Sequence, residues 1–378
     1  MHVLITGGAG FIGSNLSLKL IELGHVVTVF DNLSPQVHGN NPEHSKLYLS
    51  IKDKVNFING TIESKTDWLT ALSYGAEVIV HLAADTGTGQ SMYEIKRYSD
   101  TNITGSAILL DILANEKLNL NKIIVASSRA IYGEGKYRCI MHGIVYPDAR
   151  KEIDMQKGAF NVKCPHCGAD VELLATDEDS KIHPSSIYGV TKQVQEQMFF
   201  IGGRSLGIDT ISLRFQNVYG VGQSLSNPYT GILSVFSTRI KNNNDLIIYE
   251  DGKESRDFIY IDDVVNAICL AIESDEAAVG RAYNVGSGIC TDLLTVAHIL
   301  KKKYHSDVNV IVSGNYRLGD IRHNYADLTK IKKFLNFEPK VSFEQGISKF
   351  IDWVNSQHIE NDLYENSIHE MKMKGLYK

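Results

Sequence analysis

The chain has 378 residues, 22% charged and 43% apolar, a size and balance that suit two domains around a large buried core. A formal charge of −6 leaves no basic footprint, which argues against a nucleic-acid partner. No apolar run approaches the ~20 residues that cross a bilayer, and strand-like residues start almost at Met1 with no signal or transit segment before them, so no membrane partner and a cytoplasmic setting are expected.

Val3-Leu-Ile-Thr6 is a short apolar run that breaks into Gly7-Gly8-Ala-Gly10-Phe11-Ile12-Gly13. A helical pattern over 14–23 follows, Gly24 closes it, and 25–30 is a second buried strand ended by Asp31. Glycines 8, 10 and 13 fit G-x-G-x-x-G, and glycines 7, 10 and 13 fit the variant with three-residue spacing. Between a strand and a helix, such a turn brings main-chain N–H groups against a pyrophosphate at the helix N-terminus. Asp31, with Asn32 after it, stands where a carboxylate accepts hydrogen bonds from an adenosine ribose. Its charge disfavours a 2′-phosphate, so NAD is expected rather than NADP.

Further strand-like runs at 55–58, 78–82 and 122–126 recur at βα spacing, and 102–114 reads as a helix between the last two. Strands alternating with helices predict an α/β fold built on a doubly wound parallel sheet. Ligands in such sheets lie at the carboxyl ends of the strands, where Thr61-Ile62, Leu82-Ala83-Ala84 and Ser127-Ser128 fall. From about 211 the pattern is less regular, with strands at 211–220, 246–249, 256–261 and 281–285 and helices at 231–241, 263–273 and 341–354. This mixture predicts a smaller α+β substrate domain over the cofactor cleft. The expected division is 1–220 for dinucleotide binding and 221–378 for substrate, with about 256–275 returning to the first domain. The last twenty or so residues carry little signal.

Tyr188 and Lys192, in Ser185-Ser-Ile-Tyr188-Gly-Val-Thr-Lys192, stand four residues apart and share one helix face. Removing a hydride from an alcohol carbon requires the hydroxyl to lose its proton as the C–H bond breaks, so a general base must lie within hydrogen-bond reach. Tyr188 serves only as phenolate; from a reference pKa of ~10, ionisation near pH 7 needs about 4 kcal/mol of differential stabilisation. Lys192 and the oxidised nicotinamide are the expected sources. A lone Tyr-x-x-x-Lys is a weak signal, strengthened here by the glycine turn and the Ser-Ser strand end.

Thr6-Gly-Gly-Ala-Gly-Phe-Ile-Gly13, Ser127-Ser128, Tyr188-x-x-x-Lys192 and Arg256-Asp-Phe together resemble the extended short-chain dehydrogenase/reductases, the nucleotide-sugar epimerase and dehydratase superfamily, from Val3 to about Val354. The run from Arg214 through Asn217-Val-Tyr-Gly, and a cysteine-bearing insertion before Tyr188, are similar to the dTDP-L-rhamnose 4-epimerase subfamily. The resemblance implies a Rossmann form of the doubly wound sheet, NAD as cofactor and a nucleotide-diphosphate sugar as substrate. It also implies a homodimer formed through the helix from about Asn102, itself a cofactor contact, and the helix bearing Tyr188.

By the same resemblance Ser128, Tyr188 and Lys192 are catalytic. Ser128 is chosen over Ser127 because it stands four residues before Tyr132 in Ser-Arg-Ala-Ile-Tyr-Gly. Arg256, Arg317 and Asp320 fall where the family holds phosphates and nucleotide ribose, work suited to bidentate guanidinium contacts. Asn217 is placed at phosphate or sugar, Thr86 at the hexose, and Arg322 is a weaker candidate. Dehydratases of the superfamily carry Asp-Glu directly after the catalytic hydroxyl; here Arg129 and Ala130 stand there, so elimination of water is not expected. What remains is 4-epimerisation by transient oxidation at C4 and return of the hydride to the other face. dTDP-L-rhamnose and dTDP-6-deoxy-L-talose are the expected pair. A UDP-hexose or UDP-N-acetylhexosamine 4-epimerase, a 4-keto-sugar reductase and a catalytically silent NAD sensor stay open. Arg129 is given no role.

The 60 residues from Ser128 to Tyr188 far exceed a usual strand-to-helix loop. Within 134–180 lie Cys139-Ile-Met-His142 and Cys164-Pro-His-Cys167, a pair of knuckles whose one His and three Cys suit tetrahedral structural zinc. His166 is the alternative to His142, and free thiols in a loop are the alternative to metal. Five cysteines are an odd number and give no disulfide framework; Cys269 and Cys290 read as buried core thiols.

Overall fold

The computed structural model describes residues 1–229, 231–358 and 360–378. Its main sheet has seven strands in the order Arg281–Val285, Asp209–Phe215, Lys122–Ser128, Val78–His81, His2–Thr6, Val26–Asp31, Asn56–Asn59. Every neighbouring pair is parallel. The order reverses between His2–Thr6 and Val78–His81, the crevice where a doubly wound sheet binds its ligand.

Alternate side chains of each strand leave on opposite faces, and both faces are buried. Val3, Ile5, Val80, Ile124 and Leu213 pack under helices Phe11–Glu22 and Ile261–Glu273. Leu4, Ile79, Ile123 and Val125 pack on the other side with Trp68, Leu109, Ile112 and Phe199, from helices Lys65–Leu72, Gly105–Asn115 and Ile187–Leu206. Continuous apolar runs such as 122–126 follow from this double coverage.

The return to the main sheet goes further than 256–275, because Arg281–Val285 pairs along Asp209–Phe215 as its edge strand. The remaining elements form the second, mixed layer. Ser255–Tyr260 pairs with Asn217–Tyr219, Cys290–Asp292 and His323–Asn324, while Leu246–Ile248 pairs with Val310–Val312.

The tail, which carried little signal, is ordered. Helix Tyr364–Met373 buries Tyr364, Ile368 and Met371 in a cluster with Tyr249 and Tyr377. Beyond it, Lys378 exchanges two main-chain hydrogen bonds of 3.1 Å with Tyr316, and Leu318 donates to Leu376 at 2.9 Å. Cys290 also departs from expectation: it lies exposed at a short strand edge, whereas Cys269 is buried. No helix among the described residues is long and apolar enough to cross a membrane.

Candidate active site

The glycine turn is fixed by steric necessity. Gly7 has φ of +65°, and a Cβ on Gly13 would stand 2.3 Å from the Gly7 carbonyl oxygen. The turn opens helix Phe11–Glu22, so Gly10, Phe11, Ile12 and Gly13 surround a helix N-terminus at the sheet's carboxyl edge. Asp31 closes over it, its carboxylate accepting from the Ala9 N–H at 3.0 Å and the Leu33 N–H at 2.8 Å. Asn32 accepts from the Ser34 N–H in an exposed turn. Leu82, Ala83 and Ala84 follow the end of Val78–His81, with the Ala83 N–H donating to Thr6 Oγ1. Thr61 donates its N–H to Asp67. The Ile62 side chain belongs to the core, and its carbonyl accepts from the Trp68 indole. Asn102 is fully buried, bonded to both main-chain groups of Asp85 and to Thr191 Oγ1.

Ser127 and Ser128 end the strand next to Val78–His81, and strand alternation sends them to opposite faces. Ser127 lies beside Glu196. Ser128 caps the turn Arg129–Tyr132, accepting from the Ala130 N–H at 3.1 Å. Helix Ile187–Leu206 starts across from it, with Ser186 as a side-chain cap on Gly189 and Tyr188 in the first turn. Burial raises the Tyr188 phenol above its ordinary pKa; the Ser128 hydroxyl and the Arg129 guanidinium pull it back.

Lys192 shares that helix face but turns elsewhere. Its ammonium donates to Gln195 Oε1 at 2.7 Å, and burial brings its pKa down to about 7. Gln195 is held in turn by Ser106 Oγ at 2.8 Å and the Asn102 carbonyl at 3.2 Å. In this arrangement the Arg129 guanidinium also lowers the phenol's pKa, while Lys192 is bonded to Gln195. Gln195 and Arg129 are residues that the sequence did not single out for function. The i, i+3 spacing from Lys192 was the one available signal for Gln195.

A small cavity, open to solvent, is lined by Thr88, Arg129, Ser185, Arg256 and Asp320 among others. Arg256 donates to the carbonyls of Ser255, Ile321 and Arg322. Arg317 pairs with Asp320 through Nε at 2.8 Å and Nη2 at 2.7 Å, with its guanidinium over the Tyr249 ring. Asn217 accepts from Arg129 Nε at 2.9 Å. The carbonyl of Thr86 accepts from the Tyr98 phenol at 2.7 Å. Arg322 is buried against Glu250 and Asp251, away from the cavity lining.

The model of the NAD dependent epimerase/dehydratase family matches residues 3–144 and 166–286. The chain belongs to this family. It is 34% identical, over 93% of its length and 94% of the relative, to a dTDP-L-rhamnose 4-epimerase of Burkholderia thailandensis. A putative UDP-glucose 4-epimerase of Methanocaldococcus jannaschii is 28% identical over 94% of this chain and 99% of that one. Among solved structures, a UDP-glucose 4-epimerase of Thermotoga maritima with UDP-glucose superposes with a TM-score of 0.76 at 30% identity, covering 94% of this chain and 99% of that one.

The family match breaks over 145–165, inside the insertion. There, strands Gly143–Val145, Tyr137–Cys139 and Glu172–Leu173 form a small antiparallel sheet. The buried cluster against this sheet is small: Tyr137, Cys139, Val145, Val162 and Cys164. Ligand atoms of Cys139, His142, Cys164 and Cys167 all lie within 4.8 Å of one another. His142 Nδ1 is 3.6 Å from both Cys139 Sγ and Cys164 Sγ, and the Cys139 and Cys167 sulfurs are 3.8 Å apart. A tetrahedron with Zn–S of about 2.3 Å and Zn–N of about 2.0 Å has S···S and S···N edges of about 3.8 and 3.6 Å. Three of the separations match such edges, and with the whole set lying within 4.8 Å the donors fit such an ion after a small inward movement. His142, not His166, meets the thiols; the two rings are 5.1 Å apart.

Proposed function

We propose that this protein is an NAD-dependent 4-epimerase of a nucleotide-activated sugar, interconverting dTDP-L-rhamnose and dTDP-6-deoxy-L-talose. One observation carries the reaction type. Ser128 ends its strand at the carboxyl edge of the sheet, its hydroxyl reaches the phenol of Tyr188, and the residues after Ser128 are Arg129 and Ala130, which do no carboxylate acid–base work. The likeness to the Burkholderia relative supports the dTDP-linked 6-deoxyhexose.

In this reading Tyr188 takes the proton from the sugar 4-hydroxyl and later returns it, while Ser128 holds the same oxygen. NAD, when bound, accepts the C4 hydride and gives it back. The turn from Gly7 to Gly13, Asp31 and Lys192 hold that cofactor. Asn217, Arg256 and Arg317 hold the diphosphate while the oxidised sugar turns its other face. The four Cys and His ligands would hold a structural zinc, which adds to the small apolar core of the lobe. The homodimer is proposed through helix Ile187–Leu206, where Val190 and Ile201 are exposed.

A UDP-hexose 4-epimerase is the second reading, favoured by the Methanocaldococcus and Thermotoga likenesses. The purified protein, without added nicotinamide, is incubated with dTDP-L-rhamnose, UDP-glucose and UDP-N-acetylglucosamine carrying deuterium at C4. Interconversion of dTDP-L-rhamnose with the label retained supports the first reading. Turnover of the UDP sugars alone transfers support to the second, and loss of label to solvent ends both.

A further inference from the structure

Arg129 differs from the other arginines around the sugar cavity in having almost nothing to bind. Arg317 is paired with Asp320, Arg322 with Glu250 and Asp251, and Arg150 with Glu134 and Glu250. The guanidinium of Arg256 is engaged by three carbonyls. Arg129 makes one hydrogen bond, from Nε to Asn217 Oδ1 at 2.9 Å. Among the described residues, no carboxylate oxygen lies within 4.0 Å of it, and its two Nη groups bond no protein atom. Arg129 is half-buried, and a guanidinium with one protein hydrogen bond keeps its remaining N–H donors available to a ligand.

Arg129 and Arg256 line the same small, solvent-open cavity. Burial first, and the Arg256 charge second, bring the Arg129 pKa down to about 9. Asp320, the one carboxylate among the described lining residues, is already taken by Arg317. Asn217 fixes the Nε edge of Arg129, so the guanidinium is oriented before any ligand arrives. Two cations facing one small space are stabilised by an oxyanion between them, and a planar guanidinium offers it two parallel N–H donors. The ligand is also located along its length, because Arg129 follows Ser128 in the chain and its charge is felt by Tyr188. The oxyanion is therefore close to the reacting sugar.

We propose that Arg129 completes the diphosphate site, donating from its Nη groups to the phosphate nearest the sugar, with Arg256 on the other side. This rests on the nucleotide-sugar reading above. It gives a binding role to the residue that stands where a dehydratase places an acid.

Titration calorimetry on the full chain with dTDP, UDP, dTMP and UMP tests it, for the wild type and for Arg129→Met and Arg129→Lys. Expected is a loss of roughly 10- to 100-fold for the preferred diphosphate in Arg129→Met, the size of a hydrogen bond to a charged group. The monophosphate of the same base, which lacks the sugar-side phosphate, changes little. Arg129→Lys recovers part of the loss, since a point charge replaces a fork. NAD bound per chain and the melting temperature report that the variants fold, and the lysine variant carries the test if the methionine variant does not. Unchanged diphosphate binding in the variants overturns this proposal alone. So does a loss confined to a nucleotide sugar bearing its own carboxylate, such as UDP-glucuronate, with free diphosphate unaffected. Wild-type protein that binds neither diphosphate overturns the nucleotide-sugar reading, and this proposal with it.

Discussion

The Lys192 ammonium donates to Gln195 Oε1 at 2.7 Å, one helical turn beyond the phenol of Tyr188. A buried lysine held down to about pH 7 leaves a signature in stability. In the unfolded chain the amine titrates near pH ~10.4, so between about 7 and 10.4 the unfolded state binds the extra proton and the folded state does not. Burial of the charge costs its full amount below pH ~7 and fades as pH rises toward ~10.4. Lys192→Met should therefore gain most in melting temperature near pH 6.5 and least near pH 10. An equal gain at both ends would show that the amine keeps its ordinary pKa.

Ser128 and Arg129 are the two groups that draw the Tyr188 phenol back toward ionisation. Ser128→Ala should move the low-pH limb of the pH–rate profile, where Tyr188 must ionise to act as base, to higher pH and lower turnover by roughly 10²-fold. Tyr188→Phe should lower it by roughly 10²- to 10⁴-fold at every pH while NAD stays bound. A serine variant with reduced rate but an unmoved profile would separate sugar holding from phenol tuning.

The small core of the lobe makes its ligands decisive for folding. One zinc per chain is expected by elemental analysis, and none in Cys164→Ser. The lobe also reaches the cavity. Arg150 donates to the Asp320 carbonyl at 2.9 Å, and Asn161 accepts from Arg322 at 3.1 Å. Metal removal by a chelator should then raise KM for the sugar nucleotide roughly 10-fold, about one hydrogen bond of ~1.4 kcal/mol, with NAD content unchanged.

Deleting 376–378 removes the main-chain bonds to Tyr316 and Leu318, on either side of Arg317. KM for substrate should rise roughly 10-fold, as one or two hydrogen bonds near ~1 kcal/mol would give. Substrate affinity equal to that of the full chain would show that Arg317 is held by Asp320 alone.

The parts of this site that could be read from the chain are those held by neighbours in sequence. The glycine turn is legible because part of its sterics is local: a Cβ on Gly13 would meet Gly7 and Gly8 first. Tyr188 with Lys192, and each Cys or His knuckle, likewise lie within one turn of backbone. What escaped is set by pairing across the fold. Arg281–Val285 has the same apolar pattern whichever sheet it joins, and its partner is about seventy residues away. The tail's apolar residues are spaced as in any short helix, so Tyr249 as their partner leaves no mark in the sequence. Arg129 has no role legible in the sequence because Asn217, the residue that orients it, comes from a distant strand.

The tail has a practical consequence for handling the protein. Residues added after Lys378 would emerge beside the loop of Arg317, next to the Gly319-Asp320 stretch that lines the cavity. Residues added ahead of Met1 would emerge at the amino end of His2–Thr6, the opposite end of the sheet from the cavity. Purification handles and immobilisation linkers therefore belong at the front, and kinetics from a carboxyl-terminal fusion would describe an obstructed enzyme.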